Sequence, residues 1–403
     1  MRTPGIWRLV TAISLISAPA VSAVAQQAEA PTRQASIEQE QGEKAKNLHS
    51  YTPGITEKLL NRADGLLVNG LRLHPFFENA YSGGGFTLGA GYAHRIRAYD
   101  YIDFRGSYTI KDYKRLEAEF RAPRLFNRRG DLSVVGGWRE ATQVGFYGIG
   151  MATSIDDRTN YRFRQPYGSA LLKIWPTRRY VMLRGGVELS EWSQRPGEGT
   201  DPSVETVYTP QTLPGLGATA TYLHSQGGLA FDWRTTPGYT RRGGYYAVTF
   251  HDYSDNDNEF GFDQVDYEAI QHLPILREAW VISLRALART AYSKSDQQIP
   301  FFMLPAVGGG SSLRGFSSWR FRDKNSLVLQ AEWRIMVNRY LDTAVFYDAG
   351  KVAARTSDLD FNRLKSDYGF GARLHTPLST PLRIEVAKSN EGLSLVFSAN
   401  AAF

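Results

Sequence analysis

The sequence predicts an all-β fold: a sixteen-stranded transmembrane antiparallel β-barrel with one long loop. Three observations point there. The N-terminus has the layout of an export signal. Stretches of ten or so residues alternate apolar and polar side chains, with turn residues between them. The composition, 403 residues with 8 Trp, 22 Tyr, 21 Phe and 38 Gly and 22% charged, is too aromatic for disorder and too polar for a helical membrane bundle. The formal charge of +7 comes from 47 basic and 40 acidic residues, a near balance that implies no nucleic-acid partner. With no Cys, a disulfide framework, a thiolate metal site and a Cys nucleophile are excluded.

In chain order, Arg2 and Arg8 bracket a basic start, Leu9 to Ile16 is apolar, and Ala23-Val24-Ala25 before Gln26 reads as a cleavage site, with Val21-Ser22-Ala23 as a near alternative. Residues 1–25 are therefore expected to be a signal peptide. Residues 26–65 form a periplasmic tail: up to residue 50 they are rich in Gln, Glu and Ala and lack any aromatic residue. Such a stretch cannot bury enough apolar surface to order itself, so disorder is expected, with one short helix over Ile55 to Arg62. Residues 66–403 form the barrel. After the signal no segment qualifies as a transmembrane helix. The longest window without Asp, Glu, Lys or Arg, Thr206 to Phe231, holds Pro210, Pro214, Gly215 and Gly217 and reads as loop plus strand.

The barrel strands follow from period two. Ile102, Phe104, Gly106, Tyr108 and Ile110 interleave with Asp103, Arg105, Ser107 and Thr109; Leu327, Leu329, Ala331, Trp333 and Ile335 interleave with Gln330, Glu332 and Arg334. A soluble sandwich would alternate too. Against it stand the export signal, the strand length that a tilted membrane crossing needs, and a second face charged along its whole length, which suits a wet lumen. Trp138, Trp175, Trp192 and Trp280 are expected near strand ends, as an aromatic girdle. Strand centres fall near Leu71, Leu88, Phe104, Ala118, Val134, Leu171, Leu183, Leu223, Val248, Tyr267, Leu284, Leu329, Val345, Phe370, Ile384 and Phe397. An even count places both termini in the periplasm, below the outer membrane of a Gram-negative bacterium. Long connections are expected at 142–162, 193–216 and, above all, 292–324.

That last connection contains Gly308-Gly309-Gly310-Ser311-Ser312-Leu313-Arg314-Gly315-Phe316, and the strand after next contains Phe346-Tyr347-Asp348-Ala349-Gly350. Keeping both apolar faces outward sets Glu332 opposite Phe346 and Asp348 opposite Gln330. Glu332 and Asp348 are then diagonal lumenal neighbours. Two carboxylates so placed repel unless a cation lies between them, and the planar fork of Arg314 suits that place. Unrelated lumenal charges would give the same pattern.

Here the chain resembles the BamA/TamA or bacterial surface antigen family of outer-membrane assembly barrels. Leu313-Arg314-Gly315-Phe316 matches the tip of the family's inward-folded loop. Phe346, Asp348 and Gly350 match its strand motif, and the chain ends on Phe403. The resemblance covers roughly 66–403. It implies a lumenal loop held by Leu313, Arg314, Gly315 and Phe316 against Glu332, Phe346, Asp348 and Gly350. It also implies a C-terminal insertion signal at Phe397, Ala401 and Phe403, read by the barrel assembly machinery. Val396 and Ser398 depart from that signal. Residues 26–65 are too short for the family's periplasmic POTRA module, so the chain is similar to the branch without one.

The seven His have no metal-ligand spacing, no Gly-x-Ser-x-Gly elbow is present, and no Ser is paired with a His as an outer-membrane deacylase requires. No cofactor, metal or catalytic residue is expected. The leading reading is a barrel that assists insertion or translocation of protein or lipid. Its expected partners are outer-membrane lipid and lipopolysaccharide, and a separate periplasmic partner or cargo protein. A passive or loop-plugged pore stands as the alternative and an outer-membrane enzyme as a remote one. An assembly barrel needs weak pairing between its first and last strands, near Leu66–Pro75 and Gly392–Phe403.

Overall fold

The structure is a computed structural model; it describes residues 33–46, 54, 58 and 72–403, the last span without 178, 277, 399 and 400. The signal peptide, the helix expected over 55–62 and the first strand centre at Leu71 lie outside the described residues, except Lys58. The chain divides into two units, Met1–Glu57 and Lys58–Phe403. In the first, α1 spans Arg33–Lys46, where sequence reading placed no element. Glu, Gln, Ala and Lys are strong helix formers, and fourteen residues is about the length at which such a helix becomes marginal in water. Among the described residues no helix is long and apolar enough to cross a membrane.

The second unit is one antiparallel meander of sixteen strands. Its first half comprises β1 (Leu73–Pro75), β2 (Thr87–Arg95), β3 (Tyr101–Thr109), β4 (Lys114–Arg124), β5 (Gly130–Phe146), β6 (Thr159–Ile174), β7 (Val181–Pro196) and β8 (Thr219–Asp232). The second half comprises β9 (Gly243–Asp255), β10 (Phe262–Ile275), β11 (Trp280–Ser293), β14 (Asn325–Met336), β15 (Leu341–Ala353), β16 (Lys365–Leu374), β17 (Leu382–Ser389) and β18 (Gly392–Ser398). Between β11 and β14, β12 (Ala306–Val307) and β13 (Phe321–Arg322) pair as a separate ribbon. Every expected centre from Leu88 to Phe397 lies within a strand.

The sheet is inside out relative to a soluble protein. Outward residues such as Phe104, Leu116, Val187, Leu229 and Phe370 are apolar and exposed, which for a protein in water would be an aggregation surface and for one in lipid is the expected band. Inward residues are polar and paired: Arg105 donates to Glu117 at 2.8 Å and to Glu119 at 2.5 Å. The buried apolar core sits inside the barrel, between wall and loop. Phe146, Tyr161, Phe163, Trp192 and Tyr222 of the wall pack there with Phe301 and Phe302 of the 294–324 connection. Trp192 is therefore no girdle residue. It is only 7% exposed and stacks on Phe302, because β7 runs 16 residues, longer than the hydrocarbon layer requires, and its upper part lines the loop.

The C-terminal strand also differs from expectation. Among the described residues the last pair of the β17–β18 ladder is Arg383 opposite Ser398. Ala401 and Phe403 lie outside any strand, and the Phe403 ring stands 6.2 Å from that of His272, a buried residue of β10. Phe397 does lie on β18, 58% exposed on the outward face. Among the described residues β1 and β18 do not pair, so the meander has a seam.

Connections alternate between a short-turn end, including 96–100, 125–129 and 175–180, and an end with the longer 147–158, 197–218 and 294–324. Short turns mark the periplasmic side of such barrels.

Candidate functional site

The connection 294–324 turns into the barrel. Its backbone doubles back at Gly308 and Gly309, with φ of +120° and +92°, a region that L side chains rarely enter. The Gly309 N–H donates to the carbonyls of Leu313 and Phe316 at 3.0 and 3.1 Å, and Ser312 N–H returns to the Gly309 carbonyl at 3.0 Å. The Ser312 hydroxyl accepts from Gly308 N–H at 2.8 Å. Leu313 and Phe316 anchor the resulting knuckle in a cluster with Leu287, Val307, Phe321, Val328 and Val352.

Arg314 projects from the knuckle and is fully buried. Its Nε and Nη2 donate to the two oxygens of Asp348, each at 2.7 Å, a bidentate fork. Its Nη1 donates to Glu332 at 3.3 Å and to Glu385 at 3.1 Å, and its backbone N–H reaches Asp348 at 3.3 Å. The guanidinium carbon lies 3.4 Å from the centroid of the Phe346 ring, a cation–π contact in a desolvated place. Burial works against the charge on Arg314. Hydrogen bonds and charge from Asp348, then Glu385 and Glu332, outweigh it and hold the pKa above its ordinary value.

The strands set this geometry. Glu332 is opposite Phe346 and Gln330 opposite Asp348, the register that outward apolar faces demand. The two glycines of the motif give room: a Cβ at Gly350 would lie 2.7 Å from the Leu327 carbonyl and 3.4 Å from Leu313, and one at Gly315 would lie 2.6 Å from the Cβ of Asp367. Leu313, Arg314, Gly315, Phe316, Glu332, Phe346, Asp348 and Gly350 thus meet in one place. Phe397, Ala401 and Phe403 do not join them.

Two participants escaped sequence reading. Glu385 on β17 is a third carboxylate on Arg314. Arg373 on β16 pairs with Glu332 and donates to Glu385 at 2.8 Å. Both face inward by the alternation of their strands; what was missing was the register across β15, β16 and β17, which alone brings them beside Arg314.

The loop also touches both sides of the seam. On the β1–β2 side Trp319 donates through Nε1 to the Ser82 carbonyl at 2.9 Å and stacks on Tyr81 at 4.4 Å. On the other side Ser389, at the end of β17, donates to the Gly315 carbonyl at 2.7 Å. Arg320 donates through Nε to both oxygens of Glu391 at 2.9 and 3.0 Å. A cavity of about 860 Å³ lies at the seam, lined by Phe77 and Phe86 on one side, Leu395 and Val396 on the other, and loop residues 309–311 and 316–319.

At the periplasmic end the turn 233–242 between β8 and β9 reaches the far wall. Tyr239 is buried, donates to Asp342 of β15 at 2.7 Å, and stacks on His375 of the β16–β17 turn at 4.0 Å. Burial, then Asp342, push its phenol pKa up to about 12, so it stays a donor at ordinary pH. Arg334 of β14 donates to the Thr240 carbonyl, and Thr380 to the Gly238 carbonyl at 3.2 Å. Three strands, β10, β11 and β14, separate the two walls on the shorter way round, so this strap crosses the mouth. Among the described residues no group of His, Asp and Glu has the makings of a metal site.

A sixteen-stranded barrel whose long loop returns to the lumen and is held there by an arginine defines a class of outer-membrane β-barrel. The Omp85 superfamily domain matches residues 78–393, and the chain belongs to that superfamily. Solved structures with the same fold include BamA from Haemophilus ducreyi lacking POTRA domains 1–3, at 15% identity and a TM-score of 0.57, covering 78% of this chain and 67% of that one. CdiB from Escherichia coli aligns at 12% and 0.55, covering 80% and 60%. CdiB from Acinetobacter baumannii aligns at 11% and 0.51, covering 77% and 55%. The chain thus spans between about half and two thirds of these chains. No curated protein sequence matches it significantly. The chain is an outer-membrane barrel.

Proposed function

We propose that this barrel assists insertion or translocation of protein or lipid at the outer membrane, and that the lumenal loop staples its seam in the resting state. The observation that carries this is the loop's double attachment. Ser82 and Tyr81 hold it on one side of the seam, Ser389 and Glu391 on the other, with Arg314 bound to Asp348 of β15. β1 and β18 are short and unpaired to each other among the described residues, so most of what joins the two edges there runs through the loop. Releasing Arg314 frees the loop, and a freed loop leaves the seam with little to hold it. Substrate reaches the barrel from a separate periplasmic partner, and the barrel assembly machinery inserts the chain itself, in this reading through Phe397 and the C-terminal aromatic Phe403.

The test is depletion of the protein followed by an inventory of outer-membrane proteins and lipids. Loss of a defined protein or lipid class is expected, and it should be reproduced by joining Cys residues introduced at 77 and 395 with a bis-maleimide long enough to span the seam cavity, a clean experiment in a chain without Cys. An unchanged inventory together with steady ion conductance in bilayers would instead make the protein a loop-narrowed pore.

A further inference from the structure

Two connections of the long-loop rim are acidic, and an arc of the periplasmic rim is basic. At the long-loop rim, 197–218 holds Glu198, Asp201 and Glu205 with no basic residue, and 256–261 holds Asp257 and Glu259. At the periplasmic rim, three neighbouring turns form a basic arc. Arg124 at the end of β4 lies 3.5 Å over the ring of Tyr99 in the turn 96–100. Trp175 N–H, in the turn 175–180, donates to the Arg129 carbonyl of 125–129 at 2.7 Å. Among the described residues, the ion pairs of this arc are Arg97 with Asp100 at 4.0 Å and Arg121 with Asp131 at 2.9 Å. They leave out Arg128, Arg129 and Arg179, which are exposed. Beside them Ile96, Phe126 and Tyr180 are 50%, 61% and 45% exposed. The Tyr180 ring packs 5.7 Å from Phe231, an outward residue of β8, so the aromatic groups of the arc continue the lipid-facing band.

We propose that this arc is a binding surface for anionic phospholipid of the periplasmic leaflet. Arg128, Arg129 and Arg179 take the headgroup phosphates, and Ile96, Phe126 and Tyr180 enter the adjoining glycerol and acyl region. Guanidinium groups match phosphate oxygens in a planar fork, aromatic side chains favour the interface between headgroup and hydrocarbon, and basic residues at a membrane surface gain from anionic lipid. An acidic protein would account for the arginines alone. Continuity with the outward apolar face favours lipid, since that face is already in the bilayer. The arc gathers anionic lipid under the β2–β7 wall.

The experiment uses the full chain purified in a non-ionic detergent, with retained phosphatidylglycerol and phosphatidylcholine measured by native mass spectrometry. The wild type should prefer phosphatidylglycerol, and the preference should weaken with salt. Changing Arg128, Arg129 and Arg179 to Gln should lower it by on the order of fivefold for each arginine, with heat-modifiable mobility intact. Changing Arg355 and Arg363 at the opposite rim to Gln should leave it unchanged. Free glycerol phosphate should not displace the lipid. No headgroup preference in the wild type overturns the proposal without any variant being needed. So does displacement by glycerol phosphate, which would mean a phosphate site rather than a lipid surface, or equal loss from the opposite-rim variant. If the triple variant does not fold, Phe126→Ser serves instead, and undiminished retention by it overturns the proposal.

Discussion

Arg314 is the residue on which most of the lumenal geometry depends. Its removal leaves Asp348, Glu332 and Glu385 sharing a buried site with less positive charge, and breaking a buried ion pair costs about 3–5 kcal/mol. Arg314→Ala should therefore lower heat stability, read as the temperature at which gel mobility shifts, and raise conductance in bilayers. Arg314→Lys should recover little, because an ammonium cannot fork onto Asp348 while reaching two further carboxylates. In a double-mutant cycle with Asp348→Asn the effects should be strongly non-additive; simple additivity would show that the two residues do not act together. A second prediction concerns Gly369 on β16. A Cβ there would collide with the Phe346 ring and the Val386 carbonyl. Gly369→Ala should push Phe346 from under Arg314 and destabilise by about 1–3 kcal/mol, whereas Gly136→Ala, where nothing lies within 4 Å, should be close to neutral. Arg314, Glu332 and Asp348 were legible in the sequence because one hairpin register and the alternation of two strands place them. Glu385 and Arg373 were not, because their place depends on two more registers, each set by turns whose geometry the sequence states only weakly.

At the level of elements, the strands were legible because period two persists over whole crossings. The strap was not. Its sequence, with Pro237-Gly238 in the middle, reads as an ordinary turn, and only the far wall, with Asp342 and His375 waiting for Tyr239, makes it a closure. Tyr239→Ala should open the periplasmic mouth. Conductance should rise in Tyr239→Ala and rise further when it is combined with Arg314→Ala, since the strap and the loop close opposite ends. No change in either background would mean that the strap does not occlude. β18 carries a further expectation. Phe397 stands on the outward face while Phe403 lies off the ladder. Phe397→Ser should therefore reduce the inserted amount in the outer-membrane fraction more than deletion of Phe403 does; the reverse order would assign recognition to the chain end itself. The three successive left-handed residues Phe126, Asn127 and Arg128, with φ of 50°, 57° and 66°, were equally hidden, since such a conformation costs L-residues roughly 1–2 kcal/mol each and no propensity announces it.

For the whole molecule, the basic arc lies at one end of the barrel and the inward loop enters from the other. The loop has a temporal side as well. Its contacts join parts of the chain that are far apart: Arg314 and Glu385 are 71 residues apart, Arg320 and Thr153 167, Trp319 and Ser82 237. Contacts of such long range slow folding, and these must form inside a space that the last hairpin helps to enclose. Closing the wall before the knuckle had found its carboxylates would shut the loop out. The order of events that avoids this has the loop seated first against β14 and β15, with β16 to β18 then laid over it and Glu385 arriving last. Loss of Glu385 should then accelerate unfolding and leave the refolding rate nearly untouched, whereas loss of Asp348 should slow refolding. The seated loop is in that sense the mould on which the final strands are cast, and what holds the finished barrel shut is also what decides when it can be finished.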